Sequence, residues 1–221
     1  ERMIDSVGYI RIREFNSPTP EQFKTAYTSL VDQGAAHFIV DLRNNEGGTL
    51  EAAKEIVAYL MPRGPYAHFT AKGEVSTFTA EDSFEMTVAS VTLVNGKTAG
   101  EAELFAGVLQ DFGKTTVVGT STAGKDTVQE YYSLDSDKSA VRLTVGSLSL
   151  VQSGKSWADG GIVPDQLVGL TSEQETYFEV LTDQEDPQLQ TAIGVLDSAP
   201  SLPTTEAPNT ETTVPEETTL P

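Results

Sequence analysis

Residues 92–111, TLVNGKTAGEAELFAGVLQD, change within a few positions from the period of a strand to the period of a helix. An apolar strand pattern ends at Val94, and an apolar helical face begins after Gly100. Hydrolases often place a nucleophile at such a turn, because the N-terminus of the helix stabilises negative charge. The turn GKTAG contains neither serine nor cysteine. It is therefore either an ordinary connection or an active site that lacks one part.

Strand and helix patterns alternate on both sides of this turn. The predicted strands cover residues 7–15, 36–43, 88–94, 115–120 and 140–150, together with a hairpin in 66–80 that turns at Lys72–Gly73. The predicted helices begin near residues 19, 50, 101, 172 and 187. This alternation predicts an α/β layered domain with helices packed on a sheet.

Helix start signals sharpen three of these predictions. Thr19 is a candidate N-cap, with Pro20 at the first helical position and Gln22 completing a capping box. Thr171 or Ser172 can cap a later helix, and Asp186–Pro187 begins the last one. From residue 198 the chain is mostly Thr, Pro and Glu without aromatic residues. We therefore expect one domain over residues 1–197 and a low-complexity tail over 198–221.

Charge and composition exclude several classes of function. The net charge is −19, and residues 156–221 supply −13 of it, with 13 Asp and Glu and no Lys or Arg. This balance argues against nucleic acid or an anionic membrane as a partner. The absence of cysteine excludes disulfides, a thiol nucleophile and cysteine-bound metal, and it is compatible with an extracellular or cell-envelope protein of bacterial type.

The two histidines, His37 and His68, stand singly in strand-like segments. A histidine triad or a zinc site would need partners that the sequence does not offer, so we expect structural histidines, no metal and no cofactor. The chain also contains no apolar run of the ~18–20 residues that a membrane span needs.

Five stretches carry chemistry together and occur in a characteristic order. They are YIRIREF (9–15), DLRNNEGGTLEAA (41–53), VNGKTAGEAELFAGVLQD (94–111), GTSTAGKDTVQ (119–129) and SGKSWADGGIVPD (153–165). In this order the chain resembles the C-terminal-processing, or tail-specific, serine peptidases, from about residue 7 to residue 196. The resemblance implies a crotonase-like α/β fold (a ββα superhelix) and a polypeptide or C-terminal peptide as the partner. The family usually carries a PDZ domain before the segment that matches 7–15, and we expect none in this chain.

The resemblance also assigns a serine–lysine dyad to particular positions. The family turn reads roughly Asn-x-x-Ser/Thr-Ala-Ser-Ala-x-Glu, and its second serine, the nucleophile, falls on Gly100. The family's general base falls on Lys125, which lies 25 positions later, and an orienting glutamine falls on Gln129. By the same match, amides near Gly47 and Gly48 and at Glu101 would form the oxyanion hole.

These residue types suit the implied chemistry, except at the nucleophile position. A lysine acts as a base only where burial lowers its pKa from the ordinary value of about 10.4. Backbone amides at a helix start point at a developing oxyanion. Removing a catalytic serine costs on the order of 10⁶ in kcat. With glycine at position 100, the sequence favours a peptidase-like domain that is catalytically inactive or severely impaired.

Several alternatives stay open at this stage. Without the resemblance, Lys125 reads as a solvated loop lysine, Gln129 as a polar strand residue and Gly100 as a tolerated helix glycine. Thr98 is a weak substitute nucleophile, and Ser121 and Thr122 lie on the strand side of the lysine. An engineered replacement of the serine in an active peptidase, or a non-enzymatic cell-surface interaction module, would also fit. Trp157 could line a groove or pack in the core.

Overall fold

The computed structural model describes residues 1–81, 84–134 and 139–199. The predicted tail therefore lies outside the described residues, except for its first two positions. The elements of the first half are β1 (Arg2–Ile4), β2 (Val7–Arg11), α1 (Thr19–Asp32), β3 (His37–Asp41), α2 (Leu50–Leu60), β4 (Gly64–Ala71), β5 (Glu74–Ala80) and β6 (Ser90–Val94). Those of the second half are α3 (Glu101–Asp111), β7 (Thr116–Gly119), β8 (Thr127–Ser133), β9 (Ala140–Leu150), β10 (Gln166–Leu167), α4 (Ser172–Thr176) and α5 (Pro187–Asp197), with a 3₁₀ turn at Phe178–Val180.

Over these residues the strands form two sheets. The central sheet has six strands in the order β1-β2-β3-β6-β7-β10, with β1 antiparallel and the others parallel. The second sheet is antiparallel, with the order β5-β4-β9-β8. Because β3, β6 and β7 are parallel neighbours, the loops that follow them leave the central sheet at the same edge. The predicted site residues all lie in or just after these loops.

The core explains why the central strands read as continuous apolar runs. One face of the central sheet packs through Phe38 and Val40 on α1, α2 and α3, and the other packs through Ile39 on α5. Parallel strands covered on both faces need apolar residues at successive positions. The second sheet adds Tyr66 and Leu148 to the core on the side of α2 and α3. The layered α/β fold predicted from the sequence is confirmed.

Most predicted elements are present, with bounds that shift by a few residues. The hairpin turns at Lys72–Gly73 as predicted, with positive φ at both residues. Thr171 caps α4, and Asp186 caps α5 by accepting hydrogen bonds from Gln188 N and Leu189 N. The short strands β1 and β10 were not predicted, and β8 was indicated only by the strand interpretation of Gln129.

The predicted cap of α1 is wrong. Thr19 is already the first helical residue, Pro18 occupies the N-cap, and no side chain caps the helix. The Thr19 hydroxyl instead donates its one proton to Asn16 Oδ1 at 2.6 Å, with Glu14 O at 3.1 Å as a second, longer acceptor contact. The threonine side chain therefore bonds to acceptors in the loop that precedes α1, and the local Thr-Pro-x-Gln pattern does not predict this contact.

Candidate active site

The loop after β3 is fixed to the chain that extends β2. Phe15 N donates to Gly47 O at 2.9 Å, and Thr49 N donates to Phe15 O at 2.7 Å. The side-chain amide of Asn45 adds a bond to Ile12 O at 2.9 Å. A Cβ at Gly48, whose φ is +150°, would overlap the carbonyl of Phe15. This close backbone approach requires glycine at position 48.

Gly100 occupies a sharp turn between β6 and α3. Its φ of 58° and ψ of −117° lie in a region that residues with a side chain rarely adopt. The space beside it is nevertheless open, since an added Cβ would meet only Glu46 O, at 3.8 Å. The nucleophile position predicted from the sequence is thus a turn that glycine adopts readily, with room for a small side chain but with backbone strain for any residue that carries a Cβ.

A buried carboxylate, Glu103, joins this turn to the lysine loop. Glu103 is fully buried, and its Oε2 accepts hydrogen bonds from Gly100 N at 2.9 Å and Lys125 N at 2.8 Å. Its Oε1 accepts from Thr122 Oγ1 at 2.5 Å and Gly124 N at 2.7 Å. Four donors on two separate segments therefore converge on one side chain. Glu103 matched the family turn in the sequence, but no role was predicted for it.

The six predicted site residues come together in one groove of about 670 Å³. Its lining residues are Arg13, Glu14, Asn44, Glu46, Gly47, Gly48, Gly100, Glu101, Lys125, Thr127, Gln129, Tyr131 and Arg142. Lys125 precedes β8, and Gln129 lies at an irregularity in the β8–β9 pairing. Irregularities of this kind often redirect a side chain next to a site. The fold thus assembles the residues that the resemblance singled out, while their roles stay predictions.

Lys125 is exposed in this arrangement. Within the described residues its ammonium makes no hydrogen bond and no ion pair. The groove therefore contains an exposed amine at position 125 and no side chain at position 100.

The backbone amides near the groove have different partners. Gly47 N donates to Asn45 Oδ1 at 2.9 Å, so this amide is committed within its own loop. Gly48 N donates to the side chain of Glu101, at 2.9 Å from Oε2. The amide of Glu101 lies at the first position of α3 and has no partner among the described residues. Two of the three predicted oxyanion donors, Gly47 and Gly48, therefore have side-chain acceptors in this structure.

A buried ion cluster holds the start of the same loop, and sequence reasoning missed it. Arg43 is buried and donates to Asp41 at 2.9 and 2.6 Å and to Asp186 at 2.7 Å. Burial alone would lower the pKa of Arg43, but the carboxylates of Asp41 and Asp186 raise it. Burial and the neighbouring Asp41 also raise the pKa of Tyr9, whose hydroxyl donates to Asp41 at 2.7 Å. The cluster ties the segment before α5 to the end of β3.

Two of the alternative nucleophiles, Thr98 and Thr122, are buried and hydrogen-bonded. Thr98 is fully buried, and its hydroxyl donates to Leu42 O at 2.9 Å and accepts from Asn95 N at 3.0 Å. Thr122 is buried and bonded to Glu103. Trp157 is 2% exposed and belongs to the core, which settles the choice between groove and core.

Comparison with known proteins gives a consistent family. The family model described as Peptidase family S41 matches residues 6–168. The carboxyl-terminal-processing protease of Synechocystis sp. is 33% identical over 215 residues, covering 92% of this chain and 49% of that protein. The chloroplastic carboxyl-terminal-processing peptidase 1 of Arabidopsis thaliana is 34% identical over 163 residues, covering 72% and 33%.

Solved structures agree with the sequence matches. The photosystem II D1 C-terminal processing protease superposes with a TM-score of 0.69 at 31% identity, covering 83% of this chain and 48% of that one. A putative S41 protease from Bacteroides fragilis, at 20% identity and a TM-score of 0.71, shares the fold. The chain spans about half the length of the relatives it matches, or less. It belongs to peptidase family S41, as a domain of the C-terminal-processing serine peptidase type.

Proposed function

We propose that this chain is a peptide-binding domain of its family that binds C-terminal or extended polypeptide segments without hydrolysing them. The observation that carries the proposal is Gly100, which leaves the turn between β6 and α3 without an attacking atom. The exposure of Lys125 supports it, because a lysine that acts as a general base is ordinarily buried away from water. The room beside Gly100 supports the view that the groove has kept the shape of a peptidase site.

Strand addition is the binding mode that the groove favours. β8 is the last strand of the second sheet, so its outer backbone groups are available to an extended peptide. Thr127, Gln129 and Tyr131 of this strand line the groove. The lining residues carry three basic and three acidic side chains, so the groove has no net charge of its own. Main-chain bonds and alternate side-chain pockets would then provide the recognition.

Calorimetry and mass spectrometry on the same samples test both halves of this function. Unstructured peptides of mixed sequence should give a saturable binding isotherm in the calorimeter. Mass spectrometry should show that the peptides remain uncleaved after prolonged incubation. A Tyr131→Pro variant removes a backbone donor from the outer side of β8, because Leu134 N donates to Ser139 O and alternate residues of the strand therefore face away from β9. The control is Val163→Pro, which changes an exposed position outside the groove.

The outcomes separate the candidate functions. Robust cleavage by the chain as it stands, abolished by Lys125→Ala, would overturn the loss of activity. Absence of binding would instead favour a non-enzymatic surface module whose groove has no peptide ligand. Equal weakening by Tyr131→Pro and Val163→Pro would contradict strand addition on β8.

A second candidate is an active peptidase in which glycine replaced the serine, by engineering or by recent loss. The open space beside Gly100 favours it, since an added Cβ meets no atom closer than 3.8 Å. Gly100→Ser should then gain measurable cleavage that Lys125→Ala removes again. No gain in a folded Gly100→Ser variant would count against a site that lacks the serine alone.

We also propose an extracellular or cell-envelope location, on the strength of the cysteine-free, acidic sequence. Within the described residues, no helix has both the length and the apolar character needed to cross a bilayer. Fractionation of the native host with an antibody against the domain would test the location. Recovery in the cytoplasm would contradict it.

A further inference from the structure

The carboxylate of Glu101 lies inside the candidate active site. Glu101 is the first residue of α3, and its Oε2 accepts a hydrogen bond from Gly48 N at 2.9 Å. A Cβ at Gly47 would overlap the same oxygen, so the carboxylate rests directly on the glycine loop. The N-terminus of α3 adds a favourable field for a negative group at this place. One carboxylate oxygen therefore occupies the position at which the Gly48 amide points.

That position has a defined chemical meaning in a serine peptidase. Donors of an oxyanion hole must lie about 2.7–3.1 Å from the site of the developing oxyanion, and that site must be free for the substrate. Here the chain fills it with an oxygen that already carries negative charge. The resemblance places a small residue at position 101, which would leave the same amide uncovered. Glycine at position 100 and glutamate at position 101 are thus two separate departures from the family turn.

We propose that Glu101 is an intramolecular plug of the oxyanion hole. Its carboxylate excludes a peptide carbonyl, or any external anion, from the Gly48 amide, independently of whether a nucleophile is present at position 100. The inference rests on the proposed function, which identifies this groove as the peptide site. It deepens that function, because a peptide on β8 must then bind without placing a carbonyl in the hole.

The plug predicts that two substitutions are needed to recover acyl-transfer reactivity. Gly100→Ser supplies the attacking oxygen, while Glu101→Ala uncovers the amide. Loss of one oxyanion donor typically costs on the order of 10²–10³ in kcat. We therefore expect the double variant to react at least about 10-fold faster than Gly100→Ser alone.

Phosphonylation by a fluorophosphonate measures this reactivity without the need for a known substrate. The hydroxyl oxygen introduced by Gly100→Ser forms a bond to phosphorus, the P–F bond breaks, fluoride leaves, and the hydroxyl proton passes to the Lys125 amine or to solvent. The phosphoryl oxygen must enter the oxyanion hole for the step to be fast. Intact-mass spectrometry counts the labelled fraction with time.

Two matched controls separate occupation of the amide from loss of charge. Gly100→Ser with Glu101→Gln keeps an oxygen that can accept from Gly48 N, so its labelling should stay near that of Gly100→Ser. Gly100→Ser with Glu51→Ala removes a charge from an exposed residue at the start of α2 and should also leave the rate unchanged. Equal rates for Gly100→Ser with and without Glu101→Ala would overturn the plug. Equal acceleration by Glu51→Ala would overturn it as well.

The Gly48 amide resonance tests the premise even if no variant is labelled. In a ¹⁵N–¹H spectrum, Glu101→Ala made in the chain with Gly100 should shift the Gly48 amide proton, because its charged acceptor is lost. Glu51→Ala should leave the resonance in place. An unshifted Gly48 signal in Glu101→Ala would refute the proposal. A shifted signal in a chain that binds no peptide would refute the proposed function and leave the plug standing.

Discussion

Replacing Glu103 by glutamine tests whether this side chain holds the two halves of the site together. Each oxygen of Glu103 accepts two hydrogen bonds, one oxygen from Thr122 and Gly124 and the other from Gly100 and Lys125. Glutamine has the same shape, but an NH₂ group, which donates hydrogen bonds, replaces one of the two carboxylate oxygens. Whichever way the amide turns, at least one backbone N–H then faces an NH₂ group in a buried space.

The magnitude follows from the number and type of bonds. Hydrogen bonds to a charged group contribute about 1.5–3 kcal/mol each, and an unsatisfied buried donor costs about 1–3 kcal/mol. The Thr122 hydroxyl can rotate to accept from the amide, which limits the loss on that side. We therefore expect Glu103→Gln to lower the free energy of unfolding by about 2–4 kcal/mol. For a domain of this size that corresponds to a fall in Tm of about 4–16 °C.

Thermal unfolding followed by circular dichroism provides the assay, with Glu51→Gln as the control. Glu51 is exposed, so its substitution should change the free energy of unfolding by no more than about 0.5 kcal/mol. A fall in Tm below about 2 °C for Glu103→Gln, or a fall equal to that of the control, would refute the assignment of Glu103 as the connecting residue.

Three further predictions concern a close backbone contact, a buried ion cluster and a buried tyrosine. Gly48→Ala should destabilise the fold by about 3 kcal/mol or more, because the new Cβ would overlap Phe15 O. Gly34→Ala, at a positive φ in open space, should cost only about 1–2 kcal/mol, and equal losses of stability in thermal melts would contradict this. Arg43→Met leaves two buried carboxylates without their partner and should cost about 3–5 kcal/mol, against no more than about 0.5 kcal/mol for the exposed Arg63→Met; similar urea midpoints for the two variants would contradict it. Burial raises the pKa of Tyr27 to about 12, so its contribution to stability is complete below about pH 10 and is lost as the pH rises towards 12. Tyr27→Phe should therefore make the fall of the unfolding free energy in that window shallower by up to about 1.4 kcal/mol per pH unit, and an unchanged slope would rule this out.

The predictability of the site differed between its parts. The loops at the carboxyl ends of β3, β6 and β7 could be located from the sequence, because apolar strands followed by glycine-rich turns have strong local signals. The N-cap of α1 could not be predicted, because the Thr19 hydroxyl bonds to the preceding loop and not to the backbone amides of the helix. Asp41 and Arg43 are close in the sequence, but the third member of their cluster, Asp186, lies 143 positions from Arg43. No sequence pattern links residues at that separation.

The sequence by itself determined that position 100 has no side chain, and it determined the α/β order of elements through their periodicity and turns. It also indicated, through the order of the five stretches, which residues would meet. The tertiary structure decided which contacts these residues make and which of them stay exposed. It placed the Glu101 carboxylate on an amide 53 positions away, joined Glu103 to a loop about 20 positions further along, and left Lys125 exposed. These features depend on which donors and acceptors come within about 3 Å after the sheets and helices have packed, and no local pattern encodes that distance.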